Sequence, residues 1–230
     1  MNRLNVRLAI AIITVCVILV SGVAYAKDKT TLYKVTITNI TRGQIFSPPI
    51  VISHNKDYQL FSLGEPAPTG LPELAEDGET GALETELDAL DSVFQYKTPE
   101  PPGPPPANFI MPGQSLTVEI ETTRHFRFLS VAAMLVSSND AFLAVRGVYA
   151  RSWKDEAVDA RAYDAGSEFN SEDCTYIPGP PCGNHVHDAT TDAEGYVYIH
   201  SGIHGIGGLD PAEYYDWRNP VATIMVQRVK

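Results

Sequence analysis

Ser137 to Asn170 reads SSNDAFLAVRGVYARSWKDEAVDARAYDAGSEFN. Ala141 to Tyr149 is an apolar, β-branched run entered from the polar SSND turn, the pattern of a strand bounded by turn residues. Ala157 to Tyr163 is a weaker second strand and runs into Asp164-Ala165-Gly166-Ser167-Glu168. Asp140 opens the first strand, and Asp164 and Glu168 close the second. These three acids are expected to meet at one end of a β-sandwich. Gly166 between the last two lets the loop curl so that both carboxylates face one point. Calcium takes roughly 6–8 oxygen ligands, many from carboxylates and loop carbonyls, so three carboxylates would form a half-shell. By spacing alone, acids at turns are ordinarily caps or solvated groups.

Outward from this stretch the chain keeps the same character. Thr31 to Ile40 alternates Tyr33, Val35 and Ile37 with Lys34, Thr36 and Thr38, a half-buried strand. Leu116 to Thr122 alternates likewise. Phe128 to Val136 is apolar throughout, which suits a strand covered on both faces. Gly195 to His200 and Val221 to Val229 are further strands. Gln44 to His54 is extended, but Pro48 and Pro49 fit a central strand poorly. Tyr58 to Leu63 is a short strand or the start of a loop. About eight short strands with many Gly/Pro turns argue for an all-β fold, an antiparallel sandwich rather than a barrel. Both termini are expected in the sheets.

Glu65 to Pro106 is a different kind of sequence. Eight acids and no Lys or Arg lie between Glu73 and Asp91. Leu83, Leu87, Leu90 and Phe94 recur at helical spacing, which predicts one short amphipathic helix over one end of the core. Thr98 to Pro106, TPEPPGPPP, reads as a polyproline spacer.

Met1 to Ala26 has the form of an export leader. Arg3 and Arg7 precede the apolar run Leu8–Val20, and Ala24-Tyr25-Ala26 fits a small-x-small cleavage site, leaving Lys27 as the mature N-terminus. The apolar run is short for a membrane span, the alternative reading. A periplasmic or secreted protein with no stable membrane span after cleavage is expected. Losing the leader takes the formal charge from −11 to −13. A surface this acidic excludes nucleic acid, whose binding needs phosphate neutralisation. In an oxidising compartment Cys174 and Cys182 are expected to pair across CTYIPGPPC.

The histidines are a competing set. His185 and His187 are two residues apart, and His200 and His204 four apart in YIHSGIHGIGG. Imidazoles close together bind zinc or copper, which would open a metal-dependent hydrolase reading. No Gly-x-Ser-x-Gly, phosphate-binding glycine loop or His-Glu-x-x-His occurs. Tyr214, Tyr215 and Trp217 before the last strand form either a packed corner or a surface patch.

SSNDAFLAVRGV, then YDAGSE, then the terminal DWRNPVATIMVQRV resemble the spondin N-terminal domain, in its stand-alone exported bacterial form. The resemblance runs from Tyr33 to Val229 with Glu65–Pro106 inserted. It implies a C2-like β-sandwich with a calcium at one end, held by carboxylates from a Ser-Pro-Asp-Trp turn and an Asp-Ala-Gly-Thr-Asp loop. These fall on Asp140, Asp164 and Glu168. Asn139 and Ala141 stand where that turn has proline and tryptophan, and Glu168 stands for the second aspartate of the loop. The implied function is an exported calcium-binding adhesion or recognition module with no catalytic activity. Its ligand would be a protein or glycan outside the cell or in the envelope. The alternatives are the histidine-dependent hydrolase and a purely structural envelope protein.

Overall fold

Asp159 pairs with one sheet and Asp164, five residues on, with another, so a single strand ties two layers together. The computed structural model describes residues 29–99, 107–188 and 192–229. The leader and most of the proline-rich spacer lie outside them. The strands are β1 (Thr31–Asn39), β2 (Ile50–His54), β3 (Val93–Lys97), β4 (Ser115–Thr122), β5 (Phe128–Met134), β6 (Ala141–Tyr149), β7 (Glu156–Asp164), β8 (Tyr198–Ile199) and β9 (Ala222–Arg228). Three short helices are α1 (Leu71–Asp77), α2 (Gly81–Asp88) and α3 (Ala212–Tyr215).

All pairings between these strands are antiparallel, in the order β3-β2-β5-β6-β7-β9-β1-β4, with β8 beside β7. The first half of β7, Glu156 to Ala160, pairs with β9. Its second half, Arg161 to Asp164, pairs with β6. The edges β3 and β4 approach each other, and the Glu121 N–H donates to Gln95 Oε1 at 2.8 Å. The result is a nearly closed antiparallel sandwich. The strands β1 and β9 lie in the sheets, as expected, and are neighbours.

Two apolar layers explain the sequence patterns. Val35, Ile37, Val118, Ile120, Leu143 and Ile224 fill the space between the sheets. A second core lies outside β2, β5 and β6, where Phe61, Leu71, Leu74, Leu83 and Leu87 pack on Ile50, Ile52, Ala132 and Phe142. Strands covered on both faces read as continuous apolar runs, which is why Phe128–Met134 and Ala141–Val145 show no alternation. The acidic insertion therefore covers the whole outer face of a sheet, where one end of the core was expected.

Two expectations are corrected by this second core, and the open alternative for Tyr58–Leu63 is decided. Glu65–Thr98 contains two helices and a strand where one helix was predicted. The helical spacing of Leu90 and Phe94 is misleading, because α2 stops at Asp88 and Phe94 sits on β3. Tyr58–Leu63 is a loop whose Tyr58, Leu60 and Phe61 supply core. Gln44–His54 was expected away from the centre of a sheet, yet β2 lies between β3 and β5. Pro48 and Pro49 end just before its ladder begins, so no pairing N–H is lost.

Candidate metal centre

The β6–β7 register creates the centre. Ala141 is paired with Asp164, so Asp140 and Asp164 leave adjacent strands at the same end. Both are fully buried. The turn before β6 is fixed by Ser138, whose hydroxyl donates to the Leu135 carbonyl at 2.6 Å and accepts the Ala141 N–H at 3.1 Å. The loop after β7 curls back over Asp140. Ser167 N–H and Glu168 N–H donate to Asp140 Oδ2 at 2.9 and 3.1 Å, and Gly166 N–H donates to Asp164 Oδ1 at 2.8 Å. Gly166 is required at the bend. Its φ is +66°, and a Cβ there would lie 2.4 Å from the Tyr196 carbonyl oxygen.

A third carboxylate enters from Glu194. Asn170 Nδ2 is shared among Asp164 Oδ2, Tyr198 Oη and Glu194 Oε1. Asn170 Oδ1 is 3.1 Å from His200 Nε2, and His200 Nδ1 accepts the Gly202 N–H at 3.0 Å. That fixes the tautomer: Nε2 carries the proton and donates to Asn170. Burial lowers the His200 pKa to about 4, so the ring is neutral.

Charge is left unbalanced. Asp140 Oδ1 and Glu194 Oε2 are buried and accept no hydrogen bond. Burial, with the Asp164 charge next, raises the Asp140 pKa well above its usual range. Burial raises Asp164 to about 6, with Glu194 adding to it against the Asn170 and Gly166 donors. Buried carboxylates without a counter-charge are costly. The orphaned atoms are carboxylate oxygens, the donor type that a hard cation such as calcium takes.

The structure divides the acids expected at this site. Asp140 and Asp164 come together, but Glu168 meets Asp140 through its backbone only. Its Oε1 accepts the Asp188 N–H at 2.7 Å and lies 3.8 Å from His187 Nδ1. His187 also contacts Glu76 Oε2 at 2.7 Å and Asp77 Oδ2 at 3.2 Å. Among the described residues, Glu76, Glu168 and His187 form a compact group of metal-ligand type. Burial, then Glu76 against the Asp188 N–H, pushes Glu168 up to about 7, and the Glu76 hydrogen bond raises His187. This group clasps the 184–188 loop to the end of α1.

Sequence reasoning missed Glu194 and Glu172. Glu172 accepts the N–H groups of His204, Gly205 and Ile206, so the GIHGIGG segment is wrapped around one carboxylate. A lone acid in a long loop carries no spacing signal. The four histidines do not converge. His187 is held by α1, His200 is buried under Trp217 with ring centroids 4.8 Å apart, and His204 lies beside Glu172. Trp217 is a packed corner, 5% exposed. Cys174 and Cys182 form the expected disulfide. A hollow of about 190 Å³, lined by Asn139, Asn170, Glu194, Tyr198 and His200 among others, opens beside the carboxylates.

A nearly closed antiparallel all-β sandwich with the buried Asp140 and Asp164 at one end defines the class of this protein. The chain belongs to the spondin N-terminal domain family: the Spondin_N family profile matches residues 33–192. It is similar to human Spondin-2, with 27% identity over 150 residues, covering 58% of this chain and 44% of that protein. The chain thus spans less than half the length of that relative.

Proposed function

We propose that the chain is an exported, non-catalytic recognition or adhesion module whose rim is fixed by one calcium ion. The observation that carries this reading is the pair of buried, unpartnered carboxylate oxygens, Asp140 Oδ1 and Glu194 Oε2, at the end of the fold that also buries Asp164. Asp140 and Asp164 would hold the ion from the two strand ends and Glu194 from the third segment. Glu168 would contribute by its backbone N–H, which orients Asp140. Cation binding would replace mutual repulsion of the loops by shared coordination, so metal affinity becomes folding stability. The hollow beside the site supplies a place for a protein or glycan ligand held at the rim. Family membership and the leader-like N-terminus support an extracytoplasmic location. Among the described residues no helix is long and apolar enough to cross a membrane.

Elemental analysis of the purified protein, with thermal melts in calcium, in zinc and in chelator, tests the reading. A stoichiometric calcium and a melting temperature raised by calcium are expected. Indifference to calcium together with a zinc response lost in His187→Ala would overturn it.

A further inference from the structure

The opposite pole of the sandwich carries the reverse charge. By strand register the starts of β1, β5 and β7 and the ends of β4, β6 and β9 share that end. Their ends and flanking segments carry Lys29, Arg124, Arg127, Arg151, Lys154 and Arg228 against the acids Glu121, Asp155 and Glu156. This is a cationic pole on a chain of formal charge −11. The β6–β7 hairpin projects Trp153 from it, 71% exposed, the most exposed large apolar side chain among the described residues. The Arg151 guanidinium lies between Tyr149 and Trp153, 5.9 Å from each ring centroid, and is paired with Glu156 at 2.6 Å. Two adjoining hollows meet at Ser152. One, of about 200 Å³, is lined by Lys29, Arg124 and Arg127 with Thr31, Thr123 and the Tyr33 phenol. The other, of about 410 Å³, is lined by Trp153, Lys154 and Arg228.

We propose that this pole is a membrane-docking surface that seats Trp153 in the interface of an anionic phospholipid bilayer while the surrounding lysines and arginines hold headgroup phosphates. An amphipathic indole ringed by cations matches that interface in both its apolar and its charged layer. The threonine hydroxyls beside three cations in the smaller hollow offer mixed donors to phosphate oxygens, while the Tyr33 O–H is donated to the Ala150 carbonyl. A bilayer at the basic pole leaves the carboxylate rim facing away, where a second ligand can reach it.

The test uses the exported chain in chelator, so that the carboxylate rim plays no part and the outcome is independent of the calcium reading. Cosedimentation with phosphatidylglycerol/phosphatidylcholine vesicles is compared with pure phosphatidylcholine, and tryptophan emission is followed. Trp217 is buried and serves as the unchanging background. Binding only to the anionic vesicles, weakening with salt and accompanied by a blue shift lost in Trp153→Ala, is expected. Lys154→Ala and Arg228→Ala should each weaken partitioning about fivefold. Equal binding to both vesicles, or anionic binding without a Trp153 shift, would overturn the proposal. Heparin binding as tight as vesicle binding with no Trp153 shift would assign the pole to a soluble polyanion and overturn it as well.

Discussion

The backbone of Glu168 binds Asp140 while its carboxylate turns to His187: Glu168 N–H is 3.1 Å from Asp140 Oδ2, and Glu168 Oε1 is 3.8 Å from His187 Nδ1. Backbone and side chain of one residue thus serve two different clusters. Substitutions should separate them. Asp140→Asn and Asp164→Asn should abolish the calcium-dependent rise in melting temperature. Glu194→Gln should weaken calcium roughly tenfold or more. Glu168→Gln should leave the calcium response nearly intact, because its N–H survives, while lowering stability at the 184–188 clasp. Calcium titrations followed by calorimetry decide it. A Glu168→Gln protein that no longer binds calcium, with Glu194→Gln unaffected, would reverse the assignment.

The metal-free protein should lose stability as pH rises. Asp164 is raised from 3.8 to about 6, and Asp140 and Glu168 are raised as well. A carboxylate whose folded pKa lies above its unfolded value binds its proton more tightly when folded. Stability is then highest below the unfolded pKa and falls as pH climbs through the folded one. At about 1.4 kcal/mol per unit, Asp164 alone accounts for about 2 kcal/mol lost between pH 4 and 7. His187, also raised, acts in the same direction as it deprotonates. Urea denaturation in chelator from pH 4 to 7 should show the decline, and calcium should flatten it. A chelated protein that gains stability over this range would contradict the burial assigned to these groups.

Gly166 and Gly195 make a controlled pair. Both have positive φ, +66° and +79°, but a Cβ at Gly166 would collide with the Tyr196 backbone whereas one at Gly195 meets nothing within 4 Å. Gly195→Ala should cost only the left-handed backbone strain, about 1–2 kcal/mol. Gly166→Ala must also displace Tyr196, and with it the Ser167 and Glu168 donors to Asp140. It should be clearly the more destabilised in urea melts, and its calcium response should be reduced. Equal costs would mean that the loop does not need its close contact with Tyr196.

What the sequence made legible follows from the range of the interactions. Strands β1, β4, β6 and β9 were readable because a half-buried or fully buried sheet imprints its own period on neighbouring residues. The placement of Asp140 and Asp164 at one end of the fold was readable because strand ends mark them. Glu194 was not, since only the tertiary hydrogen bond through Asn170 brings it to Asp164. The outward face of Glu168 was hidden for the same reason: the His187 that its carboxylate faces is held by Glu76, which lies 92 residues before Glu168 on α1. Leu90 and Phe94 misled because their helical spacing continues past a helix that tertiary pairing of β3 with β2 has already ended.

The Cys174–Cys182 disulfide should be a local staple, dispensable for the metal centre. It closes a short loop, with a sequence separation of 8, for which chain entropy sets a stabilisation of up to about 3 kcal/mol. The loop has other anchors. Gly179 N–H donates to the Val136 carbonyl at 2.7 Å and Ser137 Oγ donates to the Pro180 carbonyl at 2.6 Å, tying it to the turn that carries Asp140. Those bonds do not depend on the sulfur bridge. The Cys174→Ser/Cys182→Ser double variant should therefore lose stability in urea melts by up to about 3 kcal/mol yet keep the calcium-dependent rise in melting temperature. Loss of that rise in a variant that still unfolds cooperatively would show that the bridge, rather than the Gly179 and Ser137 bonds, positions the Asp140 turn.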